Sequence, residues 1–145
     1  MQLKLLIEEF ISNNIAVRKL TDDISEKFND REDADRLIPE IVEIIRTTNF
    51  NPALGITFAS LLQLATRKEF IDQYTLEDIQ EIFLSILALQ EYNLEGYTDA
   101  AAFEWAVMNN PEEARDIIEI GIEKAETKIR ELKELLFEIE EGRDE

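Results

Sequence analysis

Residues 47–66 carry no charge over twenty positions, in a chain where 33% of residues are charged. Read as a helix from Pro52, this stretch presents Leu54, Ile56, Phe58, Leu61, Leu62, Leu64 and Ala65 around most of its circumference. Its polar members are only Thr57, Ser60 and Gln63. A helix apolar on nearly every side has to be surrounded by other elements, so the rest of the chain must supply its surroundings. The stretch does not read as a membrane span. Asn49, Asn51, Pro52 and Gln63 interrupt it, and its continuous apolar part falls well short of the roughly 20 residues that a span needs.

The spacing of apolar residues predicts helices throughout. Leu3, Leu5, Leu6, Ile7, Phe10 and Ile11 define a first helix that loses its pattern at Asn13-Asn14. Ala16, Leu20, Ile24 and Phe28 recur every four residues and define a second, ending near Asn29-Asp30. Residues 30–36 read as a polar connector or a first helical turn. Leu37, Ile38, Ile41, Val42 and Ile45 define a third helix, with Pro39 tolerable only near its start. Asn51-Pro52 is a start signal for the uncharged helix, 52–66, because a cap residue precedes a proline at the first helical position.

Thr75-Leu-Glu-Asp78 resembles a capping box and opens a fifth helix, 76–92. Its segment 82–89 is apolar at seven of eight positions, so it too is expected to be largely enclosed. A sixth helix is expected from Thr98-Asp99 to Asn109. The seventh and longest runs from Pro111 to about Glu140. The expected fold is thus an all-α, single-domain bundle of about seven helices over residues 1–140, packed around two central helices and followed by an acidic tail, 141–145.

Residue types narrow the chemistry. Cysteine is absent, which excludes disulfides and thiol catalysis. Histidine is absent too, which removes the usual general base near neutral pH and, with cysteine missing, nearly every zinc or di-iron site. No glycine-rich phosphate loop is present, and no suitably placed base activates a serine or threonine. A calcium loop starting at Asp30 fails, because it has no glycine at its sixth position and Ile41 at its twelfth. Pairs such as Glu40/Glu43 and Glu77/Glu81 have helical spacing but read as ordinary surface charge. No catalytic, cofactor-binding or metal-binding residues are expected, and the chain does not read as an enzyme. The amino-terminal segment, interrupted by Glu8 and Glu9, does not read as a signal peptide. A soluble, cytoplasmic protein is the expectation.

Charge distribution carries the functional signal. Fifteen bases stand against 33 acids, for a net charge of −18. Between Lys68 and Arg115 there is no base, and eleven acids lie in that interval. Glu77, Asp78, Asp99, Glu112 and Glu113 suit first helical turns, where negative charge complements the helix dipole. The missing bases have no such explanation, since a one-signed face costs self-repulsion that a basic partner relieves.

Aromatic residues interleave these acids. Glu77, Asp78, Glu81, Glu91, Tyr92, Glu95, Tyr97, Asp99 and Trp105 are therefore the expected contact set of an acidic face, about 69–114, that engages a basic protein. Inhibitor, immunity or adaptor roles fit this composition, as does nucleic-acid mimicry. Direct nucleic-acid binding is disfavoured by the excess of acids, and no membrane partner is expected.

The last helix offers an alternative. Ile118, Ile122, Ala125, Ile129, Leu132, Leu136 and Ile139 alternate four and three apart, a heptad seam with Ile122, Ile129 and Leu136 at a and the others at d. Packing inside the domain is expected near 117–125. Ile129, Leu132, Leu136 and Ile139 are then available for a homodimer, which would make the chain a structural or assembly protein.

Overall fold

A computed structural model describes residues 2–27 and 31–143, and its regular structure is all helical, with no strand among those residues. Seven α-helices follow in order: α1 (Leu3–Lys27), α2 (Arg31–Thr47), α3 (Gly55–Leu64), α4 (Lys68–Ile71), α5 (Leu76–Leu89), α6 (Leu94–Ala106) and α7 (Pro111–Arg143). A 3-10 turn, Pro52–Leu54, leads into α3. The all-α class and the long last helix match the expectation. The count matches through two compensating differences, described below. Phe28, Asn29 and Asp30, the expected end of a second helix, lie outside the described residues, as do Asp144 and Glu145 of the expected tail. The chain divides into two compact units, Met1–Phe83 and Leu84–Glu145.

In the first unit, the two helices expected over residues 3–28 are one continuous helix, α1. Asn13 and Asn14 cost a few tenths of a kcal/mol in a helix, roughly, and do not break it. The apolar pattern changes there because the two halves have different surroundings. Val17 and Ile24 are buried, whereas the apolar residues from Leu3 to Ile15 are exposed. Pro39 also departs from expectation, standing ninth in α2 rather than at its start. It removes one helical hydrogen bond, at a cost of about 3 kcal/mol. The burial of Ala34, Leu37, Ile38 and Ile41 on the same helix offsets that cost.

Left-handed backbone at Asn49 and Phe50 (φ 56° and 60°) closes α2, with the Phe50 N–H donating to the Ile45 carbonyl at 2.7 Å. Asn51 then caps the next turn as its sequence implies, its side chain accepting from the Ala53 N–H at 2.9 Å. Leu54, Ala59, Leu61 and Leu62 are buried, and no residue of α3 is fully exposed. The helix is buried or half-buried along its whole length, in keeping with its lack of charge.

The turn after α3 is held by a buried carboxylate. Asp35, on α2, accepts from the Thr66 N–H at 2.8 Å, from the Thr66 hydroxyl and from the Arg67 N–H at 3.2 Å. These bonds start α4, the short helix that the sequence reading lacked. Tyr74 donates to the Leu62 carbonyl at 2.7 Å and ties the following loop to the end of α3. Thr75 and Asp78 form the expected reciprocal box, at 2.9 and 3.2 Å, that opens α5. Contrary to expectation, α5 is buried along a single stripe: Ile79, Phe83 and Ile86 are covered while Leu84 and Leu89 are exposed. Burial follows the four-and-three spacing of that stripe, not the density of apolar residues.

In the second unit, α6 begins at Leu94, four residues before the expected start, because Asn93 serves as its cap and accepts from the Gly96 N–H at 3.3 Å. It packs on α7 through Gly121. A Cβ built there would come within 2.8 Å of the Tyr97 Cβ. Ala114, Ile117 and Gly121 form the face of α7 that is buried.

Two stability measurements check this description. Burial alone would raise the Asp35 carboxyl, but the hydrogen bonds from Thr66 and Arg67, with the Arg67 charge, hold it below its ordinary 3.8. A lowered folded pKa means that Asp35 stabilises the fold above that value and loses its contribution as pH falls through the lowered one. Asp35→Ala should cost about 2 kcal/mol in chemical denaturation at neutral pH, and Asp35→Asn should flatten the acid limb of the stability profile. Gly121→Ala should destabilise by about 1–2 kcal/mol through overpacking against Tyr97. Gly142→Ala meets nothing within 4 Å and should not destabilise.

Candidate functional site

The acidic contact set is divided between the two units. Glu77, Asp78 and Glu81 are exposed on α5 within the first unit, whereas Glu91, Tyr92, Glu95, Tyr97, Asp99 and Trp105 belong to the second. Asp78 is already engaged by its box with Thr75. The remaining members differ sharply in what they can do.

Tyr97 is not a surface residue. It is 5% exposed, packs against Gly121 and donates its hydroxyl to the Glu91 carbonyl at 2.7 Å. Its role is to hold the α5–α6 connection in place. Glu91 is not left without a base either, since the Lys124 ammonium lies 2.9 Å from its carboxylate. Lys124 also sits 5.3 Å from the centre of the Tyr92 ring, and Lys128 sits 4.2 Å from it. Lys128 in addition pairs with Glu131 at 3.0 Å. The bonds to Glu91 and to Glu131 raise the pKa of Lys124 and Lys128 respectively, against the lowering effect of desolvation. The interval without bases is therefore partly neutralised in space by lysines from α7.

Glu95 and Asp99 lie one helical turn apart on α6. Partial burial and the negative charge of Glu95 push the Asp99 carboxyl above its ordinary 3.8. On the same helix, Trp105 is 68% exposed. It borders a shallow groove of about 470 Å³ lined by Thr98, Ala101, Ala102, Pro111, Ala114, Arg115 and Ile118. Within the second unit, Glu95, Asp99 and Trp105 are the members of the contact set that neither the core nor the α7 lysines engage.

The larger exposed features are apolar. On α7 the heptad seam is not the face that packs on α6, even in its first half, where Ile122 is exposed. Ile129, Leu132, Leu136 and Ile139 are exposed by 50%, 67%, 54% and 50%. Every described residue from Ile129 to the end of α7 is exposed. The amino-terminal half of α1 is a second such surface, with Leu3, Leu6, Ile7, Phe10 and Ile11 spaced for one helix face and all exposed. Their spacing in the sequence shows that they share a helix face and leaves open what that face meets. A third feature, also missed, is an apolar groove of about 490 Å³ in the first unit, lined among others by Ile38, Val42, Phe58, Leu62 and Ile82.

Among the described residues no group of three or more carboxylates is placed to hold a metal ion, and no helix is long and apolar enough to cross a membrane. Trp105 is the chain's one tryptophan, so its placement can be read directly. Its fluorescence should be that of a water-exposed indole, readily quenched by acrylamide in the folded protein; a blue-shifted, protected signal would contradict the geometry. Comparison with protein-family models, with curated proteins and with solved structures finds no match.

Proposed function

We propose that this chain is a non-enzymatic assembly protein that self-associates through the distal half of α7. The observation that carries the reading is the exposed seam of Ile129, Leu132, Leu136 and Ile139 on a 33-residue helix. A regular apolar stripe of this kind, left in water, marks an interaction surface. Charge supports the same segment. Although the whole chain carries −18, residues 126–143 hold six acids and four bases, so two copies meet there with little repulsion.

A second reading rests on Glu95, Asp99 and Trp105, an acidic face for a basic protein. The raised Asp99 pKa supports it, because a cationic partner would relieve the repulsion between Asp99 and Glu95. Salt separates the two readings by sign. Screening weakens attraction to a basic partner, whereas it relieves the repulsion between two copies of this acidic chain and favours their association.

Sedimentation of the full chain over a range of concentration and salt tests the proposal. The mass should rise with concentration, more readily at high salt. Leu132→Glu combined with Leu136→Glu should give a monomer that still unfolds cooperatively on heating. A chain that stays monomeric throughout overturns the reading.

A further inference from the structure

We infer that two copies of α7 pair antiparallel, centred between Arg130 and Glu131, through the seam from Ile122 to Ile139; this rests on the self-association reading. The exposed seam is symmetric about that centre. Turning one copy end for end places Ile122 against Ile139, Ala125 against Leu136 and Ile129 against Leu132, so these six positions pair among themselves, while Ile118, 37% exposed beside the α6 face, stays outside the pair. The face that carries α6, Ala114 to Gly121, is turned on average roughly 60° around the helix from the seam at 100° per residue, and Ile122 to Ile139 are left uncovered by α6 for a second copy.

Volume and charge select this direction independently. In a parallel pair each residue meets its own copy, so Ala125 would face Ala125 and leave a void, while Leu136 would face Leu136. In the antiparallel pair the small residue faces the large one in two layers, which suits close packing. Flanking charges agree. A parallel pair sets residue g of one helix beside residue e of the next heptad on the other, which brings Lys128 against Lys133 twice. An antiparallel pair sets e beside e, which brings Glu126 against Lys133 twice in the middle of the seam, with Glu119 against Glu140 only at its ends. At the g positions it sets Lys128 beside Leu135, where the lysine stem covers an exposed leucine.

The absence of cysteine makes the direction measurable with introduced thiols. Full-length Ala125→Cys and Leu136→Cys are oxidised separately and as an equimolar mixture. The expected product is the mixed disulfide alone. In the antiparallel pair the two copies of residue 136 are offset along the axis by about 16 Å at 1.5 Å per residue, well beyond the roughly 7 Å that a disulfide spans.

Disulfide-linked Leu136→Cys homodimer would establish a parallel pair and overturn the inference while leaving self-association standing. A dimer in sedimentation that forms none of these disulfides overturns this register. A monomer at all concentrations removes the underlying reading. Lys133→Glu gives a second measure that spares the seam. It should weaken dimerisation roughly threefold to tenfold, with recovery on adding Glu126→Lys. Strengthening by Lys133→Glu alone would indicate parallel pairing, where it relieves the clash with Lys128.

Discussion

The Asp35 carboxylate organises the first unit. A single side chain on α2 takes hydrogen bonds from the backbone and hydroxyl of Thr66 and from the backbone of Arg67, more than thirty residues away. The uncharged α3 has no salt bridges with which to fix its position, and apolar packing is not directional. The Asp35 bonds supply direction, setting where α3 ends and how the chain turns into α4. The negative charge also reaches Tyr74, whose hydroxyl is raised first by burial and then by Asp35. Tyr74 in turn anchors the approach to the Thr75–Asp78 box. One buried charge with several donors thus sets the path of the chain from Leu64 to the start of α5.

The second unit is organised by shape. Gly121 lets α7 approach the Tyr97 ring closely, and the Tyr97 hydroxyl reaches back to the Glu91 carbonyl. The same approach brings Lys124 and Lys128 to Glu91 and Tyr92. The acidic character of this region in the sequence therefore overstates the charge that it presents in space.

Local signals in the sequence were reliable where the physics is local. Asn51-Pro52, the Thr75/Asp78 box and Pro111 mark the starts of their elements, because a cap acts on residues two or three positions away. That no residue of α3 would stand fully in water was legible from its lack of charge. What could not be read was the identity of each helix's neighbour. The exposed Leu6 and Phe10 and the buried Val17 and Ile24 lie on one helix with similar periodicity, and only tertiary packing separates them. The heptad seam on α7 was legible as a stripe, but not the fact that α6 packs against a different one. The surroundings of Glu91 and Tyr92 were not legible for a related reason: sequence distance hid lysines that arrive from 33 and 36 residues further along the chain.

The length of α7 has a consequence for local stability. Its first third is held by α6 through Ala114, Ile117 and Gly121, while every described residue beyond Lys128 is exposed. An isolated helical segment of that length is marginal in water, because propagation barely outweighs the entropy of each residue it fixes. Protection of its amides must therefore decline from Gly121 outward, with the early turns opening only when the unit opens and the late ones fraying independently. The end that offers the largest apolar surface is thus also the end whose order depends most on being covered.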